Sequence, residues 1–430
     1  MGLRILHTAD WHLGHSLHGQ SRDYEHGRFL DWLLRTLEQR QADALLIAGD
    51  IFDSANPPAA AQAMLYRFLV EAGRRLPGLQ MVLVAGNHDS PARLEAPSPI
   101  LETLNVRVVG AVRRDADGRL DTGPLVVPLR GPGGELEAWC AAVPFLRPAD
   151  LRTALPPVPD PGDEEETALA GDQDPLVAGV QALYDEVIAA LAGLRQPEQA
   201  LIALGHCYMV GSRISDLSER RILGGNQHAL PASLFPPSLT YAALGHLHLA
   251  QALGEHRHLR YSGSPIPLAL DERDYPHQVV QVDLEGGALI ALESLPVPRS
   301  VEILRFPARG AAPPEELAGL LAAHPFAPDL SPEEHPYLEL VVRLDQPDPG
   351  LRQRIEALLE GRPVRLLKLT PAYPAKVAGF AAATPSQRLE EIKPEGVFRE
   401  IYRQQFTADP PAPLLAAFHE LLESLAEGEP

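Results

Sequence analysis

Cysteine is scarce in this chain. Two residues, Cys140 and Cys207, cannot make a disulfide framework. The small disulfide-stapled folds are thereby excluded, and a reducing, cytosolic setting is expected. No apolar run reaches the roughly 18 residues that a membrane span needs, so none is expected. The opening residues, Met1-Gly-Leu-Arg-Ile-Leu-His, enter a strand pattern at once and lack the features of a secretory signal. There is no internal repeat, and no Gly-x-x-x-x-Gly-Lys-Ser/Thr loop to hold ATP phosphates. Positive charge is also short: 37 Lys and Arg stand against 57 Asp and Glu, a formal net charge of −20. A polyanion-binding surface is therefore not a global property of the chain. Local charge can differ, because a pair of divalent ions inverts the field around it. Acidic surface elsewhere can serve solubility or a protein partner.

What is present is a globular composition, 45% hydrophobic and 22% charged, in 430 residues. That length calls for two or three domains. Short apolar runs at 3–8, 44–48, 81–85, 201–204 and 241–244 have strand length, and each ends at a Gly or Asp. Helical periodicity fills 23–40, 58–76 and 176–194. The alternation predicts an α/β architecture with a largely parallel inner sheet. Further strands at 259–263, 279–284 and 288–295 are expected to complete a second sheet against it, giving a helix-flanked β-sandwich. The stretch 156–174, rich in Pro, Asp and Glu, reads as an exposed loop. Pro296-Val-Pro298 reads as a linker into a β-α-β-α-β pattern, and 371–385 as a Pro- and Ala-rich join to two amphipathic helices. The domains expected are 1–297, a small α+β domain at 298–373, and a helical tail at 374–430.

Five ligand-type clusters punctuate the first 250 residues: Asp10-x-His12, Gly49-Asp50-x-x-Asp53, Gly86-Asn87-His88-Asp89, Gly205-His206 and Gly245-His246-x-His248. In an extended segment residues i and i+2 share a face, so Asp10 and His12 would point together. Asp50 ends its strand, and its two oxygens suit a bridge between two ions. Asn87 offers a neutral carbonyl oxygen. His88, pointing elsewhere, is the expected proton donor to a leaving oxygen, and Asp89 the group that orients it. Asp53 reads as a turn cap or an outer support. Cys207 follows His206, but a small buried apolar role is the simpler reading. His7, His15, His18, His26, His228, His256 and His258 fit no ligand spacing and read as surface or outer-support residues. Each cluster alone is a weak signal; five in one order, most of them after apolar strand ends, are not. Carboxylate, amide and imidazole donors without thiolate suit Mn²⁺, with Mg²⁺ or another divalent ion as substitute.

These clusters resemble the calcineurin-like metallophosphoesterases, and within them the nuclease subunits that work with an SMC-like ATPase. The resemblance is carried by Arg4-Ile-Leu-His-Thr-Ala-Asp-Trp-His-Leu-Gly, Ala48-Gly-Asp-Ile-Phe-Asp, Ala85-Gly-Asn-His-Asp-Ser, Pro144-Phe-Leu-Arg-Pro, Ala243-Leu-Gly-His-Leu-His and Tyr261-Ser-Gly-Ser-Pro-Ile-Pro-Leu. It implies that Asp10, His12, Asp50 and His248 hold one Mn²⁺ and that Asp50, Asn87, His206 and His246 hold a second. It implies that His88 is catalytic, that 299–373 caps the site and admits DNA, and that the last helices dock on the ATPase. A homodimer is implied too, with 58–76 and the segment after Asn87 as candidate faces. Double-strand 3′–5′ exonuclease and single-strand or hairpin endonuclease activities in repair and recombination follow from the same resemblance. Arg147, Arg213, Arg220 and Arg221 are candidate phosphate contacts. Two rivals remain: a phosphodiesterase acting on a small nucleotide, and a metal-stabilised scaffold for the ATPase.

Overall fold

In the computed structural model, residues 2–151, 174–213 and 229–373 are described, together with scattered positions between 398 and 418. The chain divides into two compact units, Met1–Ser300 and Val301–Pro430. In the first unit the elements run β1 (Leu3–Thr8), β2 (Ser16–Leu17), β3 (Gln20–Ser21), α1 (Asp23–Arg40), β4 (Ala44–Ala48), α2 (Ala59–Arg75), β5 (Gln80–Val84), α3 (Pro91–Glu95), α4 (Ser98–Leu101) and β6 (Val106–Val109). They continue with β7 (Val126–Arg130), β8 (Leu136–Val143), α5 (Pro175–Leu194), β9 (Ala200–His206), β10 (Tyr241–Gly245), β11 (Gln251–Leu253), β12 (His256–Tyr261), β13 (Gln278–Glu285) and β14 (Ala288–Pro296).

Two six-stranded sheets result, ordered β14-β13-β1-β4-β5-β6 and β11-β12-β10-β9-β8-β7. The central strands of each are parallel, β1 to β6 in one and β8 to β12 in the other. Burial on both faces explains why β4 reads as an unbroken apolar run. Its residues divide with period two: Leu45 and Ile47 pack under α1 and α2, while Ala44, Leu46 and Ala48 face the other sheet. Met81 and Leu83 against Val82 and Val84 repeat the division on β5. Trp11 belongs to the helix side, edge-on to Phe29 and Phe68 at 5.6 and 5.5 Å.

Three expectations from the sequence are corrected. The strands 279–284 and 288–295 do not complete the second sheet; as β13 and β14 they extend the first, antiparallel to β1. Instead β9 and β10, expected in one inner sheet with β1, β4 and β5, lie at the centre of the second. Periodicity identifies a buried strand but carries no information on which sheet receives it. Pro296 is the last residue of β14 rather than linker, a place open to proline because that strand is the sheet edge. Finally, α5 is by length and composition long and apolar enough to cross a membrane. Here Leu183, Tyr184, Val187 and Leu191 form one buried face in the core of the second sheet, and a core helix passes the same test.

The second unit contains β15 (Ile303–Phe306), α6 (Pro314–Ala323), β16 (Tyr337–Arg343), α7 (Leu351–Leu359) and β17 (Arg365–Ala372). Its three strands are parallel in the order β15-β16-β17, and Leu317, Leu321 and Ile355 of the helices pack with Leu338, Leu340 and Val342 of the sheet. The acidic stretch 156–173 and most of the helical tail lie outside the described residues, as do Arg220, Arg221 and His228.

One histidine of the first unit has a consequence for stability. His7 is fully buried between the sheets, its Nδ1 2.9 Å from the Tyr241 hydroxyl. Burial pushes its imidazole from 6.5 down to about 3. The unfolded chain therefore takes up this proton first as the pH falls. Stability is fully present above about pH 6.5 and is lost progressively toward pH 3. His26, also pushed down to about 3 by burial, acts in the same direction. In metal-free buffer the urea midpoint should fall from pH 7 to pH 4, and His7→Gln should make that fall shallower. An unchanged pH dependence in the variant would remove His7 from this account.

Candidate metal centre

The ligand-type side chains all leave strand ends, and the two sheets present these ends at a common edge. The segment after β1 is tied to the segment after β4 by bonds from Asp10 N to Gly49 O, His12 N to Asp50 O and Leu13 N to Ile51 O, at 3.0, 3.0 and 2.9 Å. The sheets also come very close here: a Cβ on Gly245 would lie 1.8 Å from the Ala48 carbonyl oxygen. Within the first sheet, one on Gly86 would lie 2.1 Å from Asp50 Oδ1. No other residue fits either place. Asp10 and His12 are not on an extended segment as expected: their φ angles are +54° and +47°, and Asp50 has +47° and His246 +103°. Asp and His tolerate the left-handed region better than most residues, but such backbone is held only where its surroundings over-determine it.

All seven expected ligands converge. Ligand atoms of Asp10, His12 and His248 lie within 4.8 Å of one another, as do those of Asp10, Asp50 and His206. Asn87 Oδ1 lies 3.0 Å from both His206 Nε2 and His246 Nδ1. Between the groups stands Asp50, whose Oδ2 is 3.5 Å from His12 Nε2 and 3.4 Å from His206 Nε2. Both carboxylates and all four imidazoles are buried.

The electrostatics of the cluster bear on what it can hold. Burial pushes the Asp10 carboxyl up to about 7 against the pull of His206 and His248. Burial would raise Asp50 as well, but His206, His12 and His88 outweigh it and hold that carboxyl well below its ordinary value. His206 is driven the other way, up to about 9, because Asp50 and Asp10 overcome its burial. His246 is pushed down to about 3 by burial and by His206. Asp50 and Asp10 thus draw a proton onto His206, where a bound cation would favour the deprotonated, ligating forms of carboxylate and imidazole alike. Among the described residues, Asp10 Oδ2 and His12 Nε2 are buried without a hydrogen-bond partner. They are the oxygen and nitrogen donors a divalent ion takes, so the residues present fit a metal. The Cys207 thiol lies 3.7 Å from the Met209 sulfur and is no part of the cluster.

Around the centre the structure departs from expectation. Asp89 does not orient His88. Its carboxylate accepts from Ile51 N, Phe52 N and Gly86 N at 3.1, 2.9 and 2.8 Å, clamping the Asp50 loop to the Asn87 loop. The His88 ring is held instead by the Asp53 carbonyl, 2.8 Å from Nδ1, and the residue is exposed. The Asp53 carboxylate steadies His12 Nδ1 at 3.2 Å and is itself gripped by His15 Nδ1 at 2.9 Å. The other nitrogen of His15 meets the Leu268 carbonyl at 3.0 Å. Glu272, fully buried, accepts from His248 Nδ1 at 2.7 Å. Sequence reasoning missed Glu272, because a carboxylate 24 residues after its histidine has no spacing signature. Arg147 reaches this region, its guanidinium donating to the Asp89 carbonyl at 3.2 Å. Arg213 bonds through its backbone to Gln251.

Fold and site together define a calcineurin-like phosphoesterase, and that family matches residues 3–250. The class binds divalent metal. A second family, SbcD_C, described as the type 5 capsule protein repressor C-terminal domain, matches residues 297–406. The D subunit of the nuclease SbcCD from Rhodobacter capsulatus is 43% identical over 399 residues, which cover 92% of this chain and 93% of that one. The protein of the same name from Escherichia coli K12 is 34% identical over 401 residues, covering 92% of each chain. That of Bacillus subtilis is 34% identical over 289 residues, covering 66% of this chain and 67% of its own. The chain belongs to the SbcD family of nuclease subunits.

Outer carboxylates that fix a ligating histidine typically contribute about 10- to 100-fold to metal affinity. Glu272→Gln preserves the shape and removes the charge. It should weaken Mn²⁺ binding by that factor in calorimetric titration. Unchanged affinity would make Glu272 a packing residue only.

Proposed function

We propose that this chain is a Mn²⁺-dependent DNA nuclease subunit that works with an SMC-like ATPase partner of the SbcC kind. The reading rests on one observation: Asp50 stands between two donor sets, Asp10, His12 and His248 on one side and Asn87, His206 and His246 on the other. In this proposal each set would hold one ion, with Asp50 as the ligand the two sets share. Bound there, the ions would supply Lewis-acid polarisation of a phosphate ester and charge neutralisation. The chain's own residues do the rest. Asp53 and Glu272 hold His12 and His248 in the tautomer that turns Nε2 to the metal. His88 Nδ1 donates to the Asp53 carbonyl, so the Nε2–H of the doubly protonated ring is the one that passes a proton to the leaving oxygen, returning the ring to its neutral Nδ1–H form. Asp89 keeps the two loops in register, and Arg147 beside it is the best placed of the candidate phosphate contacts.

The proposed substrates are double-strand ends, digested 3′–5′, and single strands or hairpins, cut internally. Residues 299–373 are proposed to cap the site, and the helical tail to dock on the ATPase. Supporting the tail is an aromatic face: the Phe398 and Phe418 rings stack at 4.3 Å, and Tyr402 and Phe406 lie 4.6 Å apart. A homodimer in a cytoplasmic setting completes the proposal.

Two measurements test it. Metal analysis should find two ions per chain, one in Asp10→Asn and none in Asp50→Asn; a wild type that never takes a second ion would exclude the bridge. End-labelled hairpin and linear duplex DNA should be cleaved with Mn²⁺ and partner, and His88→Ala should slow cleavage by at least about 100-fold with metal content unchanged. Cleavage of a small phosphodiester but not of DNA would favour the small-nucleotide reading. No cleavage at all would favour the scaffold.

A further inference from the structure

Residues 262–277 carry the chain from β12 in the second sheet to β13 in the first. This crossing segment is fastened to the metal centre at several points. Ser264 N donates to the His248 carbonyl at 3.0 Å. Leu268 N donates to Glu272 Oε2 at 2.7 Å, while Oε1 of the same carboxylate holds His248 Nδ1. His277 closes the segment on itself, its Nδ1 2.9 Å from the Ser264 carbonyl oxygen and its Nε2 3.1 Å from that of Glu272. Leu268, Glu272 and His277 are all buried. Leu268 also turns its carbonyl oxygen to His15 Nε2, at 3.0 Å. The other nitrogen of that ring, Nδ1, is 2.9 Å from Asp53 Oδ1, the oxygen that steadies His12 Nδ1 at 3.2 Å. An unbroken path of contacts therefore runs from His12 through Asp53, His15, Leu268 and Glu272 to His248. Its two ends are imidazoles of one donor set, edge to face at 5.2 Å.

We propose that His15 is a positioning residue that joins the support of His12 and the support of His248 into one unit. The inference rests on the metal-centre reading above and holds whichever phosphate ester is cleaved. The two supports differ in rigidity. Glu272 is fully buried and fixed within its segment, whereas the Asp53 side chain is 36% accessible and has water to turn to. His15 stands between them and lends the firmness of the crossing segment to Asp53. Both of its partners are acceptors, so each contact calls for an N–H. A Leu side chain of similar bulk supplies none, while the amide nitrogen of Gln supplies two. Groups in one hydrogen-bond network respond together, so a change at one end of this path is felt at the other.

Calorimetric titration of the full chain with Mn²⁺ tests this in five forms: the wild type, His15→Leu, His15→Gln, Glu272→Gln and the double variant of His15→Leu with Glu272→Gln. His15→Leu should weaken Mn²⁺ binding about tenfold, the lower end of the range for outer supports of a ligating histidine. His15→Gln, which keeps two N–H groups, should stay within about threefold of the wild type. In the double variant the loss should fall short of the product of the two single losses by at least about threefold, because both changes slacken the same unit. Unchanged affinity in His15→Leu overturns the proposal. So do losses that simply multiply, which make the two supports independent, and a loss that Gln does not repair, which leaves His15 a spacer. The thermal midpoint of the metal-free protein identifies a variant that fails to fold. His15→Ala then takes the place of His15→Leu, with the same outcomes. A wild type with no measurable affinity for Mn²⁺ overturns the metal-centre reading itself, whereas a wild type that binds normally beside unaffected His15 variants overturns this inference alone.

Discussion

A carboxylate with almost no access to water, Asp50, is the constraint on which the rest of the site depends. Burying a charge is costly unless it is paired and hydrogen-bonded, and Asp50 is both. One oxygen accepts the His88 backbone N–H at 2.9 Å, and the other faces His12 and His206. Its backbone carbonyl accepts from His12 N. Three of the five ligand segments therefore converge on one residue, and a shift of Asp50 would be felt by all of them. Asp89 reinforces this by accepting backbone N–H bonds from both the Asp50 loop and the Asn87 loop. A buried carboxylate that takes three backbone N–H bonds acts as a brace, and that is a different role from steering a catalytic imidazole.

The close approach of two sheets creates this arrangement. Parallel central strands in both sheets send their carboxyl ends to one edge, the usual location of ligands in such sheets. Here the edge is doubled, so ligands arrive from two sides at once. Convergence from two sides requires small residues at the seam, which is why Gly245 cannot carry a side chain, and Gly86 is held to glycine by Asp50 on the neighbouring strand end. It also requires sharp turns directly after the strands. Asp10, His12, Asp50 and His246 meet this by adopting positive φ. Such backbone is costly in isolation, and the hydrogen bonds between the β1 and β4 loops hold it in place.

Much of this is legible in the residues. Each ligand cluster lies at the end of an apolar run, and that relation survives whichever sheet a strand joins. The assignment of strands to sheets is not legible, because β4 and β9, which fall in different sheets, are both apolar runs buried along their whole length. The outer shell is hidden for another reason. His15 and Glu272 act through hydrogen bonds to groups far away in sequence, and such partners leave no periodic trace. For Asp89, adjacency to His88 suggests an interaction that the turn does not permit. Neighbouring residues in a tight turn point apart, and the Asp89 side chain points down into the backbone of the neighbouring loop.

The net charge of −20 runs against a polyanionic substrate, and the distribution of arginine sharpens the question. Several arginines are already engaged by carboxylates: Arg4 with Asp283 at 2.7 Å, Arg40 with Glu293 at 2.8 Å, and Arg22 with Glu25 in the interior. They contribute little free positive potential. Screening decides the matter, since at physiological salt a surface charge is largely hidden beyond about 8 Å. A phosphate at the centre would thus meet only the charges within that radius. There the carboxylates are buried and matched to imidazoles, and a divalent ion shifts the local balance to positive. The sum over the whole chain governs long-range approach and solubility. The chemistry depends on the local sum, and the two can differ in sign without contradiction.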